Sequence, residues 1–394
     1  MFEAAPVRKG MARGYGRATG SEARAHGSAA FPQFLSGSLW IAGDVPFRIA
    51  PKEGIMDLDR RRFLQGLGGT AVTAATLGWP TRGLATVTDS PEALARELHR
   101  ILSAAQRAEI AFPWDHVDGD RGLLRARVSA NWNITRPEID SDFFTSDQRA
   151  LVRAIFEGLI DPGWHERYDR QLKDDAGGWG RHQSIGLFGD PVGGPFLFVM
   201  TGRHMTLRAG GEDPSPLAFG GPIFYGHATG TWWSGSFVER AHHPGNVFFH
   251  QAKAATALYD LLDGNQQESA RVMSPPEESD ITFVTAEKRR GLSLATLSSD
   301  QFDEAGRLLE ILVEPFRAKD RAAVRGALAA QGGLAACSLS FFEPWYRGGD
   351  DLWDSFRLEG PSLTWHFRGD PHVHVWVHIA SRQDVPFNSI AIER

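Results

Sequence analysis

The stretch Asp370-Pro371-His372-Val373-His374-Val375-Trp376-Val377-His378-Ile379 alternates without a break from His372 onward. Successive side chains of a strand point to opposite faces, so His372, His374, Trp376 and His378 share one face. Val373, Val375, Val377 and Ile379 form the other face, which reads as core. Residues two apart on a strand lie roughly 6.5–7 Å apart at the backbone. Two imidazoles at that spacing can lean onto one ion if a third ligand arrives from elsewhere. Imidazole suits zinc, copper, iron and nickel. The competing reading is a solvated polar face on an edge strand.

Working back from this strand, Ser355–Leu358 and Ser362–Arg368 carry strand patterns and complete an antiparallel meander with Val373–Ile379. Leu334–Phe342 reads as a further strand. Helix patterns precede it at Asn246–Leu262, Ser299–Arg317 and Asp320–Gln331, and the polar patch Asp263–Asp280 reads as a surface loop. Earlier still, Gln183–Gly189 and Phe196–Leu207 form a hairpin around a Gly/Pro-rich turn, in which Asp190 caps with its side-chain oxygen. Helices are expected from Ser90 to about Ile110, from Thr145 through Leu159 and over Pro162–Lys173. Strands and helices come in blocks. That favours an α+β fold, a mainly antiparallel sheet with helices packed on it, in a single large domain over residues 86–394.

The N-terminal part has a different character. Asp59-Arg60-Arg61-Arg62-Phe63-Leu64-Gln65 has the form of a twin-arginine export motif. A weakly apolar Gly/Ala-rich run to Trp79 follows, then Pro80 and the small-residue cleavage pattern Gly83-Leu84-Ala85. The run is too weakly hydrophobic for a permanent membrane span, and nothing later approaches one. Residues 56–85 therefore read as a twin-arginine signal peptide, with the Tat export machinery as partner and a periplasmic or secreted destination. Residues 1–55 read as a disordered extension upstream of Met56, from a start codon placed too early.

Residues 1–85 hold eleven Lys/Arg and six Asp/Glu, a net of +5, against −6 for the whole chain, so the remainder carries −11. An acidic domain of this kind is a poor candidate for nucleic acid or anionic lipid. Cys337 is the single cysteine, which excludes an intramolecular disulfide and a thiolate cluster. It reads as a small buried hydrophobe.

Four motifs precede the histidine strand in order: Phe188-Gly189-Asp190-Pro191, Gly202-Arg203-His204, Phe219-Gly220-Gly221-Pro222 and Leu358-Glu359-Gly360-Pro361. With the His-x-His strand, this order resembles the domain of unknown function 3500 family, whose members are often exported. The likeness spans most of residues 86–394. It departs from that family's pattern at Arg203, where the family has the first His of Gly-His-His. It departs again at Pro371 in place of Asn, at His378 in place of Arg, and near His366 in place of Glu. The resemblance implies a shared constellation in a divergent member and supplies no reaction.

The expected site is His204, His372 and His374 around one metal, zinc or copper with iron as a third choice, and Arg203 and His378 beside it. Arg203 alternates with His204 on its strand. His227 lines the pocket from a glycine-flanked loop, and Asp370 orients a ligating histidine as a second-layer carboxylate. His182, His366 and His242-His243 are weaker candidates. Three neutral imidazoles leave a position for water or a small-molecule substrate, which suits a metal-dependent hydrolase or an oxidative enzyme. A non-catalytic metal- or ligand-binding protein is the alternative, and a metal-free sheet the third. No Gly-x-Ser-x-Gly elbow surrounds Ser184, Ser234 or Ser236, and no His-Glu-x-x-His helix or phosphate-cradling loop is present.

Overall fold

In the computed structural model, which describes residues 90–210, 223–227, 247–343, 351–369 and 372–390, the histidine strand Val373–Ile379 lies at the centre of a sheet, not at an edge. The extension, the export signal, Phe219–Pro222, His242-His243 and Asp370-Pro371 fall outside the described residues.

In chain order the elements are α1 (Pro91–Ile101), α2 (Ala104–Ile110), β1 (Ala111–Phe112), β2 (Val117–Asp118), β3 (Gly122–Leu123), β4 (Arg127–Ser129), α3 (Ser146–Leu159) and α4 (His165–Ala176). Strands β5 (Gln183–Gly189), β6 (Phe196–Gly202), β7 (Met205–Gly210) and β8 (Ile223–His227) follow. Next come α5 (Phe249–Asp260), α6 (Gly264–Ala270), β9 (Arg271–Val272), β10 (Leu292–Ser293), α7 (Ser299–Val313) and α8 (Ala318–Ala329). The chain closes with β11 (Ser338–Phe342), β12 (Ser355–Gly360), β13 (Leu363–Arg368), β14 (Val373–Ile379) and β15 (Asn388–Ile390).

The main sheet has eleven strands in the order β1-β5-β6-β7-β8-β14-β13-β12-β11-β10, with β9 also on β11. All of its pairs are antiparallel except β1–β5 and β9–β11. The α+β expectation therefore holds, with eight helices packed around the sheet among the described residues.

Capping chemistry corrects the first expected helix. Ser103 accepts from Gln106 N while Gln106 bonds back to Ser103 N, so a capping box starts a second helix where one was expected to run on. Thr145–Gln148 and Ser298–Gln301 make the same reciprocal pair at α3 and α7. The expected strand Phe196–Leu207 is also two strands, because Arg203-His204 forms a two-residue turn between paired Gly202 and Met205. The polar patch Asp263–Asp280, read as a loop, carries α6 and β9, with Asp263 as a capping-box residue.

Register divides the sheet into two unlike faces. Ile185, Phe198, Leu207, Tyr225, Val375, Val377, Trp365, Phe367, Phe356 and Leu339 belong to the apolar face, which packs with the helices into the principal core. The opposite face carries Ser184, Thr201, Thr206, Arg208, His374, His378, Thr364, His366, Arg368, Arg357 and Glu359, and these too are buried. Two stretches of irregular chain cover it. From one, Trp132 donates to Thr206 Oγ1 at 3.0 Å and Ile134 N to Thr201 Oγ1 at 2.9 Å. From the other, the Asp280 carbonyl accepts from Arg357 at 2.7 Å, and Ile281 packs with Phe224 and Trp376.

On the helical side, Arg317 joins the start of α1 to the α7–α8 connection, with Nη2 2.5 Å from Glu92 and Nε 2.8 Å from Asp320. Burial alone would raise the Glu92 carboxyl; the hydrogen bond and charge of Arg317 override it and bring it down to about 2. Asp320 moves the other way, raised by burial and by the Glu92 charge. A carboxyl lowered on folding stabilises fully above its ordinary value of 4.5 and loses that contribution as pH falls toward about 2. Glu92→Gln is expected to cost about 1–2 kcal/mol at pH 7 and to flatten the acid loss between those limits. Urea denaturation of both proteins at pH 7, 4.5 and 2.5 tests this; an equally steep acid loss in the variant would contradict it.

Candidate metal centre

His204 occupies the second position of the β6–β7 turn, with φ of 53°. A non-glycine residue in this left-handed region costs on the order of 1 kcal/mol and persists where surrounding contacts over-determine it. Here its backbone N–H donates to the Ala130 carbonyl at 2.9 Å, and the neighbouring Arg203 makes a β-bridge with Asn131. His204 is therefore a turn residue, not a strand residue alternating with Arg203. The turn brings its ring to the end of the sheet where β14 begins. His372 lies just before β14 and is half-buried, whereas His374 lies within it and is buried.

The three rings meet. His374 Nε2 stands 2.9 Å from His372 Nε2 and 3.1 Å from His204 Nε2. One nitrogen from each ring lies within 4.8 Å of those of the other two. Nitrogen ligands at the ~2.0–2.1 Å typical of zinc sit roughly 3.3 Å apart around a tetrahedron, so the spacing fits one shared ion. Phe224 bounds the cluster on one side, edge-on to His374 with centroids 5.1 Å apart.

Carboxylates settle which nitrogens face inward. Asp175, on the last turn of α4, lies 2.9 Å from His204 Nδ1 and accepts from Gln171 Nε2 at 3.0 Å. Glu278, from the covering chain, contacts His374 Nδ1 and accepts from Trp376 Nε1 at 2.8 Å. Arg368, opposite His374 in the register, pairs with Glu278 at 3.2 Å and also closes on His374 Nδ1. A guanidinium only donates and a carboxylate only accepts, so Nδ1 can satisfy one of the two. Glu278, fixed by Trp376 and Arg368, accepts the hydrogen bond that the Nδ1–H donates, and Arg368 neutralises Glu278. Protonated Nδ1 atoms on His204 and His374 leave both Nε2 lone pairs directed at each other. Two lone pairs at that distance repel unless a cation sits between them, so the donor set fits a metal ion.

Electrostatics keep His372 and His374 in the ligating form. Burial, then the charges of His374, His204 and Arg368, push His372 down to about 2. Burial and the Arg368 charge push His374 down to about 3, against the pull of Glu278. For Glu278, burial would raise the carboxyl, but the hydrogen bond and charge of His374, with Arg368 and Trp376, hold it well below the usual range.

The other expected site residues scatter. His227 pairs with Val373 and lies on the helix-facing side of the sheet, where its Nε2 is 3.1 Å from Asp174, so it does not line the cluster. His378 shares the face of His374 but lies four residues along, about 13 Å away at the backbone, stacked on Phe387. The charge of Arg203 acts on His372. Asp370, expected to orient a ligating histidine, lies outside the described residues; Asp175 and Glu278 contact the outer nitrogens of His204 and His374. His366 accepts from Arg357 at 3.2 Å, and exposed His182 pairs with Glu138 at 3.1 Å. Asp190 caps its turn through Val192 N at 2.8 Å, as expected. A separate cleft of about 480 Å³ between α4 and α5, lined by Arg167, Arg170, Val247, His250 and Glu314, shares no residue with the cluster.

No protein-family profile, curated protein or solved structure matches this chain.

Replacing Asp175 by Asn or Glu278 by Gln removes the negative charge and one of the two acceptor oxygens that fix an imidazole, at nearly unchanged size. Each is expected to weaken zinc binding 10–100-fold, measured by competition with a chromophoric chelator. An affinity within twofold of wild type in both variants would refute the orienting role.

Proposed function

We propose that this chain is an exported protein built on a mononuclear three-histidine site for a divalent transition metal, and that it is an enzyme acting on a small or medium-sized substrate. The carrying observation is the pair of inward-facing Nε2 atoms of His204 and His374, with His372 completing the set. His204, His372 and His374 would hold the metal, while Asp175 and Glu278 set their tautomers and orientation. Three nitrogens leave at least one coordination position for substrate or water. A zinc ion there supplies activated water for hydrolysis, and copper or iron supplies oxidation; an all-imidazole set suits each. The twin-arginine motif at Arg60-Arg61 supports export to the periplasm or beyond, and the resemblance of the ordered motifs to those of the domain of unknown function 3500 family supports the same reading.

A specific observation favours a second reading. Two of the three rings are almost fully buried, 3% exposed for His204 and 7% for His374. A site closed around its ion would store, carry or sense metal instead of catalysing. The half-buried His372 is the side from which an exogenous ligand reaches the ion in the catalytic reading.

Elemental analysis of the protein purified through its own export route is expected to give one equivalent of a transition metal, lost in both His204→Ala and His374→Ala. Metal-free wild type reloaded with cobalt and titrated with azide separates the two readings. A changed visible spectrum indicates an open position; an unchanged one leaves the storage role. Absence of stoichiometric metal in wild type, before and after reloading, would remove both.

A further inference from the structure

We infer that the polar face of the sheet holds a second site, for a small oxyanion, around Arg208 and His378. This inference is independent of the metal centre.

Arg208 is 2% exposed, and its donors are only partly used. Nε donates to the Arg125 carbonyl at 3.0 Å and Nη2 to the Arg127 carbonyl at 2.8 Å, while Nη1 has no partner. Among the described residues no carboxylate pairs with it, and a further cation, Arg125, acts on it. A buried guanidinium without counter-charge is costly, since neutral carbonyls satisfy hydrogen bonds but not the ion. Arg127, also 2% exposed, adds a further cation alongside on β4.

His378 supplies the opposite wall. Thr206, Phe224 and Trp376 align across β7, β8 and β14, so Arg208 and His378, each two residues further along in the same direction, stand level on the same face. Two strand spacings separate them, about 9.6 Å at the backbone, enough for one oxyanion to reach both side chains. The His378 ring is 1% exposed, and its Nδ1 has no partner. Ser389 Oγ lies 3.5 Å from Nε2; with the hydroxyl donating, Nδ1 carries a proton and becomes an unused donor. The Ser129 hydroxyl, buried in the covering ribbon of β4 and β15, is likewise without a partner. Unpaired, buried donors around an uncompensated cation favour a ligand that only accepts, such as phosphate, sulfate or a carboxylate. Burial of His378, with the Arg208 charge, holds its imidazole well below the ordinary range, so the ring serves as a neutral donor.

The test is thermal denaturation of the full chain as chloride is replaced by phosphate, sulfate or acetate at constant ionic strength. Salt exclusion raises the melting temperature of any protein without saturating, so the specific signal is saturation. Wild type is expected to show a saturable rise with at least one of the three anions. Arg208→Met, which removes the charge at similar volume, is expected to keep only the unsaturating part. His378→Phe preserves the stacking on Phe387 and is expected to raise the half-saturating concentration fivefold or more, which decides the matter should Arg208→Met fail to fold. A wild type without a saturable response, or a His378→Phe variant with an unchanged midpoint, overturns the site.

Discussion

A sheet with a polar face taken away from water is the constraint from which the remaining structure follows. Antiparallel sheets commonly pack one face on a core and leave the other solvated. Here the second face carries histidines, arginines and hydroxyls, yet covering chain from Leu124 to Thr135 and from Glu278 to Phe283 buries it. Each buried polar group then needs a partner or carries a desolvation cost of a few kcal/mol. That requirement explains why the covering segments are irregular. Apart from the short β4–β15 pair and the Asn131–Arg203 bridge they carry no ladder, and they present carbonyls to Arg208 and Arg357, and the Glu278 carboxylate to His374 and Arg368.

Within this layer the metal centre is the place where partners within the protein do not suffice. Asp175 and Glu278 saturate the outer nitrogens of His204 and His374, and in doing so they turn two lone pairs onto each other. Either carboxylate alone would leave a ring free to present N–H to its neighbour, and an ordinary imidazole–imidazole hydrogen bond would result. Both together remove that option. The strained φ of His204 belongs to the same logic, because a turn residue in the left-handed region gains little unless its ring must reach a fixed point.

Much of this was legible in sequence, and the legible part was periodic. Alternation in Val373–Ile379 gave the faces of β14, and block order gave α+β, because both follow from the two-residue strand period and from layer packing. The pairing of His204 with His372 and His374 rested on spacing and motif order, and the rings do meet. What stayed hidden was aperiodic. Glu278 sits in a polar stretch that reads as solvent-facing, and Asp175 is one of two adjacent acids near a helix end, where carboxylates usually face water. The weak available signal was a Trp376 indole and an Arg368 guanidinium on the histidine face, both donors that a buried sheet must match with an acceptor. His227 misled for the opposite reason: its glycine neighbour suggested a loop, whereas strand parity places it with Val373, on the other side of the sheet.

The ligands come from positions 170 residues apart, and the sheet holds both segments in place. Strand β8 pairs with both β7 and β14, so the turn carrying His204 and the start of β14 are fixed by backbone ladders and by the apolar core beneath. Small metal domains that fold only on binding draw their folding energy from the ion. In this chain the ligand-bearing segments are tied to backbone ladders and to the apolar face beneath. A site placed on such a frame would hold an ion without being asked to fold the chain, unlike a small metal domain.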